Sequence, residues 1–289
     1  MTNFDNAILL LFCPDKKGIV SRVSNFIFEN DGNILNADQH CDSKTNIFYM
    51  RIEWNLENFK IKKENIYAEF FKYVADNFDM QFTLHFSKKK FNSAIFVSLY
   101  EHCLIDLLLK NITGELNTNF KVVIGNHKDI EKTVKHYNKD LEYFYIPITK
   151  ENKIKQEQKQ LEILKSYKID LIILARYMQI LSNNFIKEYP NKIINIHHSF
   201  LPAFIGANPY KQAFERGVKL IGATSHYITE SLDEGPIIEQ DIIRISHKNS
   251  EKDLINLGKD LEKSVLSKAV KLHLENKILV DNQKTIVFN

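Results

Sequence analysis

The chain has 289 residues, a length that corresponds to about two ordinary domains. Hydrophobic residues make up 44% and charged residues 26%, which is usual for a globular protein and excludes collagen-like and disordered classes. No apolar run approaches the roughly 20 residues that a membrane span needs. The net charge of +3 is too small to indicate a basic nucleic-acid-binding face, so we expect neither a membrane nor a nucleic acid as partner.

The three cysteines, Cys13, Cys41 and Cys103, are far apart and form no CxxC pair. An odd number without that spacing indicates neither a disulfide framework nor a zinc site. The N-terminal residues have neither the basic start nor the apolar stretch of a secretion signal. A reducing cytoplasm is therefore the expected compartment.

The first 86 residues are predicted to form a small α/β unit. Strands are predicted at 7–12, 34–41, 47–54 and 80–86, and helices at 19–29 and 64–77. The turn at 13–18 ends the first strand, and the Asp-Gly pair at 31–32 ends the first helix. The order βαββαβ is the ferredoxin-like pattern.

A polar, lysine-rich linker at 87–92 is predicted to join this unit to a second one at 93–289. The predicted strands are 93–98, 120–124, 143–146, 171–174 and 193–196, with helices at 102–111, 152–167 and 254–274 and a closing hairpin at 278–288. Strands that are apolar throughout are typical of sheets covered on both faces. We therefore expect a doubly wound, mostly parallel sheet with ligands at the carboxyl ends of its strands.

Two polar residues stand at the end of the last apolar strand of that series. Asn195 and His197 are two positions apart, so they share one face of an extended chain. An amide and an imidazole there can both donate to one carbonyl oxygen, which suits stabilisation of a developing oxyanion. The alternative is a structural asparagine and a histidine satisfied in the core. Adjacent His198 points to the opposite face, so the histidine pair does not favour a metal site.

An acidic loop at 230–236 follows a second polar segment at 222–227. Asp233 lies in this loop, which Gly235 and Pro236 close tightly. Its carboxylate can order His197, accept a proton from a nucleophile, or do both. The spacing alone is equally consistent with Asp233 and Glu234 forming an exposed acidic turn that has no catalytic role.

These motifs together resemble the catalytic domain of folate-dependent formyltransferases. The likeness is carried by Asn-Ile-His at 195–197, Ser-Phe-Leu-Pro at 199–202 and Leu-Asp-Glu-Gly-Pro at 232–236. Residues 13–20, Cys-Pro-Asp-Lys-Lys-Gly-Ile-Val, resemble an ACT domain, a ligand-sensing and dimerising module. The combination is similar to the formyltetrahydrofolate deformylase family over nearly the whole chain.

The resemblance implies hydrolysis of 10-formyltetrahydrofolate to formate and tetrahydrofolate, with the folate as substrate and no cofactor. Such an activity supplies formate for purine synthesis and balances the one-carbon folate pool. The catalytic residues that it implies are Asn195, His197 and Asp233. The folate site that it implies consists of Arg176, Tyr177, Met178, Gln179, Ile180 and Leu181. His226 either lines this site or packs behind it, and both interpretations stay open.

The ACT resemblance implies a homo-oligomer and an amino-acid effector that binds the loop with Asp15 and Gly18. The alternative, in which Gly18 only permits a tight turn and the domain only dimerises, stays open. Two positions depart from the family pattern: Ile205 stands where relatives often have Lys, and Lys211 where they often have His. They bear on the shape of the loop after Pro202 and not on the chemistry.

Two other functions are alternatives to hydrolysis. The first is formyl transfer to an amine such as glycinamide ribonucleotide. A phosphate site needs glycines and free backbone N–H groups at a helix start, whereas residues 98–103 contain no glycine and Glu101 would repel a phosphate. The second is a non-catalytic amino-acid or folate sensor, against which the presence of all three catalytic residue types argues.

Overall fold

The structure is a computed structural model that describes residues 5–203 and 209–288. The described chain divides into two compact units. The first contains residues 5–89, 275–279 and 286–288, and the second contains residues 90–203, 209–274 and 280–285. Over the described ranges, no helix is both long and apolar enough to cross a lipid bilayer.

The N-terminal part of the first unit has the element order βαββαβ. Its strands are β1 (Asn6–Pro14), β2 (Asn33–Asp42), β3 (Ile47–Asn55) and β4 (Gln81–Phe86), and its helices are α1 (Ile19–Glu29) and α2 (Ile66–Tyr73). Neighbouring strands are antiparallel, in the spatial order β2-β3-β1-β4. The predicted ferredoxin-like fold is therefore confirmed.

Helix α2 is shorter than the predicted segment 64–77. One-turn 3₁₀ segments, Lys63–Asn65 and Ala75–Phe78, flank it. The backbone leaves the α-helical region at Val74, where φ is −127°. The apolar periodicity that predicted a longer helix therefore continues through a part of the chain that coils more tightly.

The sheet of the first unit buries side chains on both faces. Trp54 lies in the core beneath the helices. On the opposite face, Leu10 and Tyr49 pack with Leu279 and Phe288. The two C-terminal segments thus belong with the first unit, whereas the sequence assigned all of 93–289 to the second. Side-chain alternation along a strand explains the difference, because β1 and β3 expose a second apolar face that must be covered.

Strands and helices alternate through most of the second unit. Its helices are α3 (His102–Ile112), α4 (Ile130–Tyr137), α5 (Lys153–Ser166), α6 (Asn183–Glu188), α7 (Pro209–Arg216) and α8 (Glu251–Leu274). Its strands are β5 (Phe91–Val97), β6 (Thr118–Gly125), β7 (Glu142–Tyr145), β8 (Leu171–Ala175), β9 (Ile193–His197), β10 (Leu220–Tyr227) and β11 (Ile237–Arg244). A hairpin of β12 (Ile278–Asp281) and β13 (Lys284–Val287) ends the described chain. Strand β5 begins inside the linker predicted at 87–92.

The sheet of the second unit has the spatial order β11-β10-β9-β8-β5-β6-β7. The five strands from β9 to β7 in this order are parallel to their neighbours. Strand β10 is antiparallel to both of its neighbours, β9 and β11. The predicted mostly parallel sheet is therefore confirmed. Elements α4, α6, α7, β10 and β11 lie outside the predicted set. The chain leaves β5 towards β7 and later returns to β8 on the other side, which creates a switch point where ligands typically bind.

Two adjacent phenylalanines of α2 test the packing of the first unit. Phe70 is buried and its ring lies 5.3 Å from Phe26 and 5.0 Å from Phe82, whereas Phe71 is about half exposed. We expect Phe70→Ala to lower the free energy of unfolding by about 3–5 kcal/mol, and Phe71→Ala by less than about 1 kcal/mol. Urea unfolding followed by the fluorescence of Trp54, the single tryptophan, measures both. Equal losses from the two variants would contradict the described core.

Candidate active site

The polar residues at the end of β9 lie beside the loop that follows β10. Strand β10 pairs antiparallel with β9 and places His226 opposite Asn195. The loop after β10 brings Asp233 back to the strand end, so that its Oδ2 atom lies 3.4 Å from Nδ1 of His197. Asn195, His197 and Asp233 thus line one cleft.

The two ring nitrogens of His197 have different surroundings. Nδ1 faces the carboxylate of Asp233, while Nε2 is buried and has no hydrogen-bond partner among the described residues. A carboxylate accepts hydrogen bonds, so this contact places a proton on Nδ1. Nε2 is then the atom of His197 that remains for a ligand in the cleft.

Asp233 stays ionised at neutral pH. The hydrogen bond with His197 is the main cause that lowers the pKa of this carboxyl below its ordinary value, and burial acts in the opposite direction. The nearby imidazoles of His226 and His198 lower this pKa further. Asp233 can therefore accept a proton at the pH where most enzymes work.

His226 fixes the orientation of the Asn195 amide. Its Nδ1 lies 3.0 Å from the backbone carbonyl oxygen of Tyr227, which only accepts, so Nδ1 carries the proton. Its Nε2 is then an acceptor, 3.2 Å from Nδ2 of Asn195. Burial lowers the pKa of His226 and favours this neutral form. The amide keeps its second N–H for another acceptor. His226 is fully buried, and its Nε2 also lies 3.7 Å from Oδ1 of Asp233.

The loop that carries Asp233 is held in one shape by its backbone. Asp233 has a left-handed φ of 57°. The N–H of Tyr227 donates to the carbonyl oxygen of Pro236 at 2.9 Å. A Cβ atom on Gly235 would lie 1.7 Å from the carbonyl oxygen of Tyr227, so only glycine fits there. The sequence signal Gly-Pro correctly indicated a tightly closed loop.

The cleft has a volume of about 330 Å³ and runs along the segment after β8. All six residues that the resemblance assigned to the folate site line it: Arg176, Tyr177, Met178, Gln179, Ile180 and Leu181. Met178 and Ile180 are more than half exposed at its edge, at 55% and 62%. Tyr177 and Leu181 are buried in the neighbouring core. The Tyr177 hydroxyl accepts a hydrogen bond from Nε2 of Gln160 at 3.0 Å, so this side chain mainly holds the segment in place.

Two polar residues that the sequence analysis did not single out support the turn after His197. The hydroxyl of Thr224 donates to the carbonyl oxygen of Ser199 at 2.9 Å and accepts from the N–H of Leu201 at 3.0 Å. Nε2 of Gln240 donates to Thr224 at 2.9 Å. No periodicity in the sequence marks Thr224, because it is followed by two further polar residues, Ser225 and His226.

Within the described ranges, one group places three potential metal ligands together: His102, Cys103 and Glu262, whose ligand atoms lie within 4.8 Å of one another. The guanidinium of Arg176 is 3.3 Å from the same carboxylate, and the hydroxyl of Tyr210 donates to it at 2.6 Å. Burial raises the pKa of the Cys103 thiol. The carboxylate of Glu262 is thus already paired with a guanidinium and hydrogen-bonded by a hydroxyl.

Asp15, Gly18 and Lys211 are not among the residues that line this cleft. Asp15 and Gly18 are exposed in the loop between β1 and α1, where Gly18 has a φ of 96°. Lys211 lies on α7, 3.8 Å from Glu215. Ile205 falls outside the described residues.

Comparison with known proteins supports the two-unit organisation. The family model described as "Formyl transferase" matches residues 91–270, and that described as "ACT domain" matches residues 7–53. Curated relatives named formyltetrahydrofolate deformylase include one from Synechocystis at 48% identity over 98% of each chain. Another, from Bacillus subtilis, is 49% identical over 99% of this chain and 95% of its own.

Solved structures give the same result. A formyltetrahydrofolate deformylase from Pseudomonas syringae superposes with a TM-score of 0.95 at 39% identity, over 100% of this chain and 96% of that one. A glycinamide ribonucleotide transformylase from Symbiobacterium toebii reaches a TM-score of 0.65 at 26% identity, and covers only 72% of this chain and 98% of its own. Since the likeness to the deformylases extends over both units at high identity, the chain belongs to the formyltetrahydrofolate deformylase family.

Proposed function

We propose that the protein hydrolyses 10-formyltetrahydrofolate to formate and tetrahydrofolate. The observation that carries this proposal is the free, buried Nε2 of His197 in a cleft shared with Asn195 and an ionised Asp233. The names of the family members support the same reaction. We further propose that the formate supplies purine synthesis and that the reaction balances the one-carbon folate pool.

The first chemical step is addition of water to the formyl carbon. Negative charge then develops on the formyl oxygen. Hydrogen bonds from the Asn195 amide and from Nε2 of a doubly protonated His197 stabilise this oxygen. Asp233 orients His197 through Nδ1 and accepts the proton that the attacking water loses. A neutral His226 keeps the Asn195 amide turned so that its N–H is the group offered.

The second step breaks the C–N bond of the tetrahedral adduct. The folate nitrogen takes a proton from Nε2 of His197 or from a shared water, and the adduct collapses to formic acid. The formic acid returns its proton to Nε2 or to that water and leaves as formate, while the proton on Asp233 passes to solvent. Water, the folate and these side chains balance all atoms and charges, so we propose that no cofactor takes part.

We assign recognition of the pterin ring to the segment from Arg176 to Leu181. Backbone groups of this segment are proposed to face the ring, with Met178 and Ile180 as the apolar edge that covers it. The N–H of Met178 donates to the hydroxyl of Ser98 at 2.9 Å, which anchors the segment to the end of β5.

We propose that the first unit pairs with its counterpart in a homo-oligomer of at least two chains, in the cytoplasm. Strand β2 supports this, because it forms an edge of its sheet and most of its residues are exposed. An unpaired, exposed edge strand is a ready template for pairing with another chain. The exposed loop with Asp15 and Gly18 is proposed to bind an amino-acid effector.

Asp233→Asn tests the proposed base. We expect the variant to fold normally and to lose at least about a hundredfold in kcat, the lower end for general acid–base catalysis. The matched control is Glu234→Gln, which removes the neighbouring exposed carboxylate and should keep kcat within about twofold of the wild type. Formate release measures both, and near-normal turnover of Asp233→Asn would refute the mechanism.

Asn195→Ala tests the proposed oxyanion donor. Loss of one such donor should lower kcat by about 10²–10³-fold, because the interaction strengthens only in the transition state. Asn183→Ala, at an exposed position at the start of α6, serves as control and should leave kcat unchanged. A rise in KM with unchanged kcat would instead indicate that Asn195 only binds substrate.

An acceptor panel separates hydrolysis from the two alternative functions. Purified protein with 10-formyltetrahydrofolate should release formate at the same rate with and without added amines, glycinamide ribonucleotide included. Formyl transfer that requires the amine would overturn the proposal, and tight folate binding without turnover would identify a sensor. Repetition with the common amino acids shows whether any of them changes the rate through the first unit.

A further inference from the structure

A second, smaller cavity shares two wall residues with the catalytic cleft. Its volume is about 110 Å³, and Arg176 and His198 line both spaces. Lys211 and Lys259 are its other cationic lining residues, while Glu251 and Glu262 supply its carboxylates. The chemical steps proposed above use none of these side chains, although the backbone of Arg176 begins the segment assigned to the pterin ring.

Arg176 is the central side chain of this cavity. Only 9% of its surface is exposed. Its Nε lies 3.3 Å from Oε2 of Glu262. Its Nη1 is buried and has no hydrogen-bond partner among the described residues. A guanidinium carries five N–H donors in a planar fork that matches a carboxylate. Arg176 therefore has donor capacity left after its ion pair with Glu262.

The buried carboxylate in this cavity is already neutralised. Glu262 accepts hydrogen bonds from Nε2 of His102 at 2.7 Å and from the hydroxyl of Tyr210 at 2.6 Å. Burial acts to raise the pKa of Glu262, yet these bonds and the charge of Arg176 hold it below its ordinary value. The charge of Glu262 is thus compensated by its partners and repels an anion in the cavity only weakly.

The other charged side chains that line the cavity are two lysines and one glutamate. Lys259 has no ion-pair partner in the described part of the chain, and Lys211 is 3.8 Å from Glu215 at the surface. Burial, followed by the charge of Arg176, lowers the pKa of His198 to about 3, so this ring is neutral at pH 7. Glu251, at the start of α8, is the one lining carboxylate here without the neutralising contacts of Glu262.

We propose that this cavity binds a small carboxylate anion, and that its ligand is the formate released in the neighbouring cleft. The proposal rests on the hydrolytic function proposed above. The volume is sufficient for an ion of three heavy atoms, because one water needs only about 10–15 Å³ of the same kind of volume. Arg176 and His198 line both the cleft and this cavity. Formate that leaves His197 towards this side of the cleft therefore reaches the guanidinium of Arg176.

Titration of the folate-free protein with ¹³C-formate, followed by the NMR line width of formate, tests the site. Lys259→Ala is the main variant, because Lys259 lies outside the catalytic cleft and is partly exposed. We expect it to weaken formate binding by about tenfold, as loss of a charged hydrogen-bond partner does, and to leave kcat unchanged. Lys252→Ala, an exposed lysine on the same helix, is the matched control and should bind formate as the wild type does.

The outcomes separate this site from the proposed function. Formate binding that Asn195→Ala abolishes and Lys259→Ala leaves intact would place the ion in the catalytic cleft and overturn the proposal. Tighter binding of inorganic phosphate than of formate would also overturn it. A protein that releases formate but shows no effect of Lys259→Ala on formate binding fails this proposal alone. A protein that binds formate here without hydrolysing the folate fails the proposed function alone.

Discussion

The contact between His197 and Asp233 is the interaction on which the site depends. A buried imidazole needs a partner for each nitrogen, and the carboxylate satisfies one while the cleft leaves the other free. Every local feature around it serves to hold the carboxylate there. The antiparallel pairing of β9 with β10, the left-handed backbone at Asp233 and the close approach of Gly235 to Tyr227 all help to set this distance.

Two histidines in this site differ because their partners differ. His197 faces a carboxylate at 3.4 Å, which favours a proton on Nδ1 and leaves Nε2 towards the cleft. His226 faces a backbone carbonyl and an amide N–H, and burial lowers its pKa although Asp233 lies 3.7 Å away. One fold thus holds a histidine with a nitrogen free for a ligand beside one whose two nitrogens both have partners.

The sequence predicted the parts of the fold that follow simple periodicity. Strands such as β8 are apolar throughout, and a helix such as α1 has regular stripes, so both were predicted. Strand β10 was not, because Thr224, Ser225 and His226 are polar although all are fully buried. Hydrogen bonds formed only in the folded sheet satisfy them, and no local pattern reveals such partners. The segment Ile278–Asp281 was predicted as extended chain. Its packing against the sheet of the first unit, through Leu279, was not predicted.

Asn195, His197 and Asp233 could be proposed as catalytic from sequence because they lie in short motifs. The strain and the buried ion pair of Arg176 are visible only in the fold. Its φ of 59° is costly for a residue with a side chain. Its buried ion pair with Glu262 is also weak evidence for stability, because both charges lose their hydration. Strain and desolvation that coincide at one residue on the wall of a catalytic cleft indicate a functional constraint. Reversible binding of an anion explains why the Arg176 guanidinium is buried with a donor, Nη1, that has no partner among the described residues.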